Sequence, residues 1–509
     1  MRPPGSSEEN NAPVNVDAIL QAILGRGGER FGMVAAVLRG ERIIAQGAAG
    51  VRKRGTAERI TLDNRFHIGS CTKAMTATLV AMLVEEGKLN WTTTLGELFA
   101  DTVKPMHPAW EKVTLRQVLA HRAGLRHEPD GLAQVLNELV GRPPRAPLGT
   151  LPQQRLEIAR QALSRPPGIP PDTKYWYSNV GYVLAGAVLE QLTGRAWEEL
   201  MRERLFQPLG ISTGGFGPPG TADKTEQAWG HSPVLGKPLD PRSPAAEIPL
   251  FNGPAALAHM TVTDWAKFIA LHLRGDPANP HCQAALLKLD TFAEMHAVAP
   301  ATTSKGWIIR GLNFLATGDA GPTVTYRAGW FISTASWAKG ARPGDTGHYL
   351  WHGGRNGMSH SVVCIAPEID FAVLVACNRD IAILKTRQTV KALIRTFAPK
   401  TDPFIHHCVA RIEAVCGGLR IGDLEKSTGL SGRQLERKFA RHLGISPKTF
   451  SRVVRFKSVA AVMAKSDSPD WVTLAGDFGY ADQQHLVREF KAFSGLTPVE
   501  HLDTTNNPR

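Results

Sequence analysis

The 509 residues of this chain exceed what one hydrophobic core serves, since single cores stop growing near roughly 250–300 residues, so at least two domains are expected. Hydrophobic residues at 43% and charged residues at 21% are those of a folded protein and exclude collagen-like, coiled-coil and wholly disordered chains. The net charge of +13 admits a polyanionic partner without placing it.

In chain order, residues 1–15 read as a flexible tail, the first thirty residues hold no uninterrupted apolar stretch ahead of a small-residue cleavage site, and no run of about eighteen apolar residues occurs anywhere. A cytoplasmic chain with no membrane segment is expected. The six cysteines form no C-x-x-C pair, so neither a metal site, a cofactor nor a disulfide framework is indicated. A helix is expected at Val16–Leu24, then two apolar strands within Phe31–Gln46 joined by a turn at Arg39–Arg42. Arg65–Ile68 reads as a brief strand, Gly69-Ser70 as a tight turn, and Cys71–Gly87 as a buried helix stopped by its glycine. Pro- and Gly-rich loops alternate with short helices up to Gly329. The runs GWFISTASWA, HYLWHGG, SHSVVCIAP and DFAVLVACN then read as successive strands. Strands from both ends of residues 16–397 assemble into one antiparallel sheet flanked by helices, an α+β domain. APKTDPF marks a linker over 398–404, and residues 405–509 read as helices only, in two similar halves.

Three short patterns in the first domain carry chemistry. Ser70-x-x-Lys73 puts a hydroxyl and an amine on one face at the start of a helix, where free backbone N–H groups favour an oxyanion and the amine can take the hydroxyl proton. A serine at a helix start also serves as an N-cap, and the spacing recurs at Ser336 and Lys339. Tyr177-Ser178-Asn179 is the chain's one Tyr-x-Asn; in an extended loop, positions i and i+2 project a phenol and an amide into one cleft. His352-Gly353-Gly354 follows an apolar strand, with two glycines clearing its edge for a substrate backbone.

In this order the three patterns resemble those of the penicillin-binding and class C β-lactamase-like serine hydrolases, over roughly Val16 to Thr396. LRQVLAHRAGL, ERLFQPLGI and MTVTDWAKFIALHL are also typical of that family. The resemblance implies Ser70 as nucleophile, Lys73 and Tyr177 as its acid/base partners, Asn179 as a substrate ligand, and substrate contacts along His352, Gly353 and Gly354. It further implies an oxyanion hole from the Ser70 N–H and an N–H of the strand carrying Gly354, with a structural role for His121. The β-lactamases proper have Lys-Thr-Gly where this chain has His352-Gly353-Gly354. An ordinary histidine is mostly neutral at pH 7, so binding of penicillin-like carboxylates should weaken unless Arg355 restores the charge. Esterases, amidases and D-amino-acid peptidases resemble the chain better at this position.

In the last hundred residues, Ile421–Ser427, a turn at Gly429 and Ser431–His442 form a helix-turn-helix pattern, repeated by Leu474–Phe478, Gly479-Tyr480 and Asp482–Phe493. From Arg433 to Lys457 there are eight basic residues against one acidic, a density suited to phosphates. With the connecting helix Thr449–Lys465, the pair resembles the DNA-binding domain of the AraC/XylS transcription regulators. Carried over by position, base-reading residues fall on Arg433, Glu436 and Arg437 in one helix and on Gln483, Gln484 and Arg488 in the other, while Leu435, Phe439, Leu486 and Phe490 face the core. The expected partners are double-stranded DNA and a small carbonyl-containing substrate or effector, and a homodimer fits this plan. The expectation is a sequence-specific DNA-binding regulator whose hydrolase-like domain senses a ligand or acts as an esterase or amidase. The alternative is a cytosolic serine hydrolase with a non-regulatory helical appendage.

Overall fold

The computed structural model describes residues 15–25, 30–125, 149–232, 236–243, 246, 248–298, 325–342, 344–399, 403–443, 445–463 and 470–501. The tail expected at residues 1–15 lies almost wholly outside them, as does part of the linker expected at 398–404. Two compact units emerge, one of Met1–Ala338 with Gly347–Ala398 and one of Lys339–Thr346 with Pro399–Arg509.

In the first unit, α1 (Val16–Leu24) precedes the hairpin of β1 (Gly32–Arg39) and β2 (Arg42–Gly50). Asn15 caps α1 by accepting from Ala18 N, and Gly40, at φ +57°, makes the hairpin turn. The β-branched and apolar runs near the end of the unit become β7 (Trp330–Thr334), β8 (His348–Arg355), β9 (His360–Ala366) and β10 (Phe371–Cys377). With β6 (Thr325–Arg327) they complete a seven-stranded sheet in the order β2-β1-β10-β9-β8-β7-β6, every pairing antiparallel. Every residue of β9 and β10 is buried, so these central strands are covered on both faces. A second sheet, β3-β5-β4, is made by β3 (Phe66–His67), β4 (Gly215–Phe216) and β5 (Ala258–Met260).

The helix α2 (Thr72–Glu85) is buried almost all round, from Thr72 to Leu83, as an interior helix must be when apolar residues occupy every face. The turn joining β6 to β7 places Ala328 at φ +43° and Gly329 at φ +87°, the left-handed pair of a tight two-residue hairpin. A side chain at 329 would stand 2.4 Å from the Ala74 Cα, so this glycine lets the hairpin seat directly on α2. The sheet thereby brings Tyr326 of β6 and His352 of β8 to the helix that carries Lys73. Also flanking the sheet and site are α3 (Asn179–Thr193), α4 (Val262–Gly275) and α5 (Ile383–Phe397).

The second unit is helical: α6 (Pro403–Ala414), α7 (Ile421–Thr428), α8 (Gly432–Leu443), α9 (Pro447–Met463), α10 (Trp471–Asp477) and α11 (Gln483–Ser494). It has two small cores. One gathers Ile405, Leu424, Leu435, Phe439 and Phe450, and the other Val459, Leu474, Tyr480, Leu486 and Phe490. The long helix α9 gives Phe450 and Val454 to the first core and Val459 and Met463 to the second, and so serves as the spine of both halves. Gly429 and Gly495 close α7 and α11 in the left-handed conformation, the two places where glycine best ends a helix.

Candidate functional site

Between β3 and α2, Gly69–Cys71 forms a single 3₁₀ turn that delivers Ser70 to the head of the helix. Gly69 is at φ +53°, and a Cβ there would lie 2.5 Å from the Arg355 backbone nitrogen. A Cβ on Gly354 would lie 1.8 Å from the Ile68 carbonyl oxygen. These two glycines therefore let the end of β8 press against the Ser70 turn, whereas a Cβ on Gly353 meets nothing closer than 3.7 Å. The sequence motif treats both glycines of β8 alike, but only Gly354 is fixed by the protein's own packing. Ser361 of β9 donates to the Ile68 carbonyl at 2.7 Å and Thr72 to that of Gly69 at 2.7 Å, locking the turn from either side.

Lys73 is 0% exposed, and its Nζ lies 3.1 Å from Ser70 Oγ, 2.6 Å from Asn179 Oδ1 and 2.8 Å from the Ala255 carbonyl oxygen. An amide oxygen and a carbonyl only accept, so they fix two of the three N–H directions. The remaining direction faces Ser70, where an ammonium donates to the hydroxyl and a neutral amine accepts its proton. Asn179 and Ala255 are 106 and 182 residues from Lys73 in sequence. Ala255 had no sequence signal, because a backbone carbonyl carries none.

The expected extended loop around Tyr177 gives way to a helix start: Ser178 has extended backbone and Asn179 is the first residue of α3. Tyr177 and Asn179 nonetheless converge, because Lys73 sits between them, with Nζ 4.8 Å from the Tyr177 ring centroid as well as bonded to Asn179. His121, at φ +55°, accepts the Ser178 N–H through Nδ1 at 3.2 Å, and its ring packs against that of Tyr177 with centroids 4.2 Å apart and planes tilted by 41°. It positions the segment that holds Tyr177.

His352 is 1% exposed and turned inward, with Nε2 3.0 Å from the Tyr326 hydroxyl and Nδ1 2.9 Å from the Gly353 carbonyl oxygen. Burial, and then the nearby Lys73 charge, push its pKa down to about 3, so the ring is neutral. Nδ1 carries the hydrogen that Gly353 accepts, and Tyr326 donates to Nε2. Arg355, the alternative source of positive charge, makes a two-pronged pair with the buried Asp380, at 2.8 and 2.6 Å. Neither group that the sequence offers in place of the family lysine is a free cation. Tyr326 escaped sequence reading because its partner stands 26 residues further on, across two strand turns.

In the second unit, Arg433, Glu436 and Arg437 on α8 and Gln483, Gln484 and Arg488 on α11 are all exposed. Leu435, Phe439, Leu486 and Phe490 between them are 0% exposed. Asp482 caps α11 by accepting the His485 N–H at 2.6 Å. The basic density expected over 433–457 is not all outward. Lys438 lies 5.3 Å from the Phe404 ring centroid, Arg452 bonds the buried Glu489 at 2.9 Å, and Arg455 bonds the carbonyls of Gly479 and Gly417 at 3.0 and 3.3 Å. These three cations hold the helical unit together.

Sheet, helix-borne Ser70 and Lys73, and the neighbouring β8 edge define the class of serine-hydrolase folds. The β-lactamase family model matches residues 16–393, and the chain belongs to that family. A helix-turn-helix domain model matches residues 424–503, so the chain also carries an AraC-type DNA-binding domain. Among curated relatives, penicillin-binding protein 4 of Amycolatopsis lactamdurans is 29% identical over 44% of this chain and 55% of its own length. An unguisins hydrolase of Aspergillus campestris is 26% identical over 63% of this chain and 53% of its own. The chain thus spans about half the length of these relatives. Among solved structures, the octameric penicillin-binding protein homologue from Pyrococcus abyssi superposes with a TM-score of 0.58 at 19% identity, covering 79% of this chain and 81% of that one. The D-amino acid amidase from Ochrobactrum anthropi, complexed with L-phenylalanine amide, gives 0.53 at 22% identity, covering 75% and 99%. Both show the fold. No helix among the described residues is long and apolar enough to cross a membrane.

Proposed function

We propose that the chain is a sequence-specific transcription regulator in which a serine-hydrolase domain, residues 16–397, senses or processes a small carbonyl compound, and residues 405–509 read double-stranded DNA. The observation that carries the DNA-binding half is the sorting of α8 and α11, where six polar residues at base-reading positions are exposed and the four apolar residues between them are fully buried. The test is selection of duplexes by the purified chain from random fragments at stated salt. A defined site with two contacts about one helical turn apart supports the reading. Equal affinity for every sequence would falsify it.

For the hydrolase half, Ser70 acts as nucleophile and Lys73 as the group that takes its proton, a role supported by the three-point fixing of Nζ. Tyr177 relays the proton, Asn179 binds substrate, and the β8 edge at Gly353 and Gly354 lines the cleft beside an oxyanion hole formed by backbone N–H groups. With His352 neutral and Arg355 paired, the favoured substrates are uncharged esters and amides rather than carboxylates. A cytosolic hydrolase with an inert helical appendage is the second reading. It is favoured only if DNA selection fails while Ser70 is labelled by a fluorophosphonate.

A further inference from the structure

The chain joins its two units at more than the single linker expected from sequence. Lys339–Thr346, the loop between β7 and β8, belongs to the helical unit, so the chain crosses between the units at 338/339 and 346/347 as well as at 398/399. Within the helical unit, Ala341 of this loop packs against the first core, which takes Leu435 and Phe439 from α8. The same helix presents Arg433, Glu436 and Arg437 outward. The loop is tied internally: the Arg342 N–H donates to Asp345 Oδ2 at 2.8 Å, and the Arg342 guanidinium stands 3.5 Å from Oδ1.

In the hydrolase unit the base of this loop is stiff. The Ala335 N–H donates to the Gly347 carbonyl at 2.9 Å, and Gly347, at φ +79°, approaches so closely that a Cβ there would stand 2.2 Å from the Ala335 oxygen. The Gly347 and His348 N–H groups both donate to the buried Glu368 carboxylate, at 2.8 and 3.1 Å. From this base β7 and β8 run antiparallel, with Thr334 opposite His348 and Phe331 opposite Trp351. Their far ends meet the nucleophile's helix and turn: Gly329, just before β7, presses on Ala74, and Gly354 of β8 presses on the Ile68 carbonyl. At ~3.3 Å per residue, His348 to Gly354 spans about 20 Å. One end of this strand pair is thus at the Ser70 turn, and the loop at its other end is part of the core under α8.

We propose that β7, β8 and the loop between them are the element that couples the Ser70 site to DNA reading. A ligand or adduct that pushes on the end of β8 moves a stiff strand pair, and the loop carries that movement to the packing of α8. The inference rests on the reading that Ser70 takes a carbonyl compound and that the helical unit reads DNA, and it adds the route between them. Coupling passes through packed, hydrogen-bonded elements, and here covalent bonds complete the path. It is reciprocal, so bound DNA changes the affinity of the Ser70 site for a reversible ligand by the same factor.

The experiment uses the full chain, the duplex it selects, and a fluorophosphonate, which bonds to Ser70 Oγ with loss of hydrogen fluoride. Labelling should change affinity for the duplex by about 5- to 150-fold. A second protein carries four glycines inserted after Ala338 and four after Thr346, which slackens both arms of the loop and leaves Ala341 and the Ala335–Gly347 base in place. It should label and bind DNA as the parent does, yet its affinity should change by less than about twofold on labelling. An equal change in both proteins, or no change in a parent that both labels and binds, overturns the inference. Failure to label or to select a duplex is instead a failure of the underlying reading, and the route is then followed by amide hydrogen exchange. Ala341→Glu sets a carboxylate against the first core and should speed exchange in α8 by about tenfold and in Ile68–Thr72 by about twofold. Unchanged exchange at either place overturns the inference whichever activities the chain has. If Ala341→Glu does not fold, Ala341→Gly is measured in its place, with about a twofold change in α8 expected and none overturning it.

Discussion

The two units handle their functional residues in opposite ways. In the hydrolase unit two polar residues of the motifs are drawn inward, Lys73 at 0% and His352 at 1% exposed, each held by a partner from another element, while Ser70, Tyr177 and Asn179 are half-buried. In the helical unit the residues at base-reading positions are all exposed, and the buried positions between them are apolar. A group that must change protonation needs a dry, preorganised setting, whereas a group that must meet a phosphate or a base edge has to wait in water. Substitutions should therefore act on reactivity and packing in the first unit, and on affinity with little loss of stability in the second.

The largest effect is expected at Ser70 and Lys73. Ser70→Ala and Lys73→Ala should each reduce labelling by a fluorophosphonate by about three orders of magnitude or more, because the first removes the nucleophile and the second the amine placed 3.1 Å from it to take its proton. Labelling is read by intact-mass spectrometry. Adduct formation that persists in Ser70→Ala would point to another nucleophile and break the contrast on the hydrolase side.

Acid should separate the units next. Burial holds His67, His352 and His360 down to about 3, and His231 and His259 to about 4. Unfolded histidines take protons near pH 6.5, so between that value and pH 3–4 protons favour the unfolded chain. Stability from these rings is full above pH 6.5 and is lost as pH falls, at about 1.4 kcal/mol per unit of pKa difference for each ring. The melting transition of the hydrolase unit, followed by calorimetry, should fall steeply between pH 6.5 and 4. A flat transition over that interval would show that these rings are not held neutral.

A third test lies within β8. Gly354→Ala drives a methyl group into the Ile68 carbonyl and should cost about 1–3 kcal/mol and slow Ser70 labelling, while Gly353→Ala has ordinary room and should melt close to the parent. Equal effects of the two substitutions would show that the turn does not lean on the strand edge as its geometry requires.

These contrasts also mark how far the sequence could be read. The strands of the sheet were legible because runs such as Phe371–Cys377 are apolar throughout, and both helix-turn-helix pairs were legible because Leu435, Phe439, Leu486 and Phe490 keep helical spacing. The pairing of Ser70 with Lys73 was legible because the two stand three positions apart where a tight turn enters a helix. What escaped depends on contacts across the chain: the Ala255 carbonyl on Lys73, Ser361 on the Ile68 carbonyl, and Tyr326 on His352. A one-dimensional pattern records spacing along an element, not which elements meet. For the same reason counting charges over 433–457 overstated the outward face, since Lys438, Arg452 and Arg455 find their partners within the unit.

That overstatement supplies the smallest and most discriminating expectation. Arg437→Ala and Arg488→Ala should each weaken specific DNA binding by about 1–3 kcal/mol, relax preference at separate positions and, where a phosphate is also contacted, lower the salt slope by about one. Arg455 is just as basic, but its guanidinium joins the Gly417 and Gly479 carbonyls and lies 4.9 Å from the Tyr480 ring centroid. Arg455→Met should therefore lower the melting temperature of the helical unit while leaving the salt slope of binding by the folded fraction as it was. The pair of measurements, a thermal melt and a titration at several salt concentrations, separates a cation facing DNA from one tying helices together. A lowered slope in Arg455→Met with no loss of stability would place that side chain on the DNA instead, and the division between outward and inward charge in this unit would have to be redrawn.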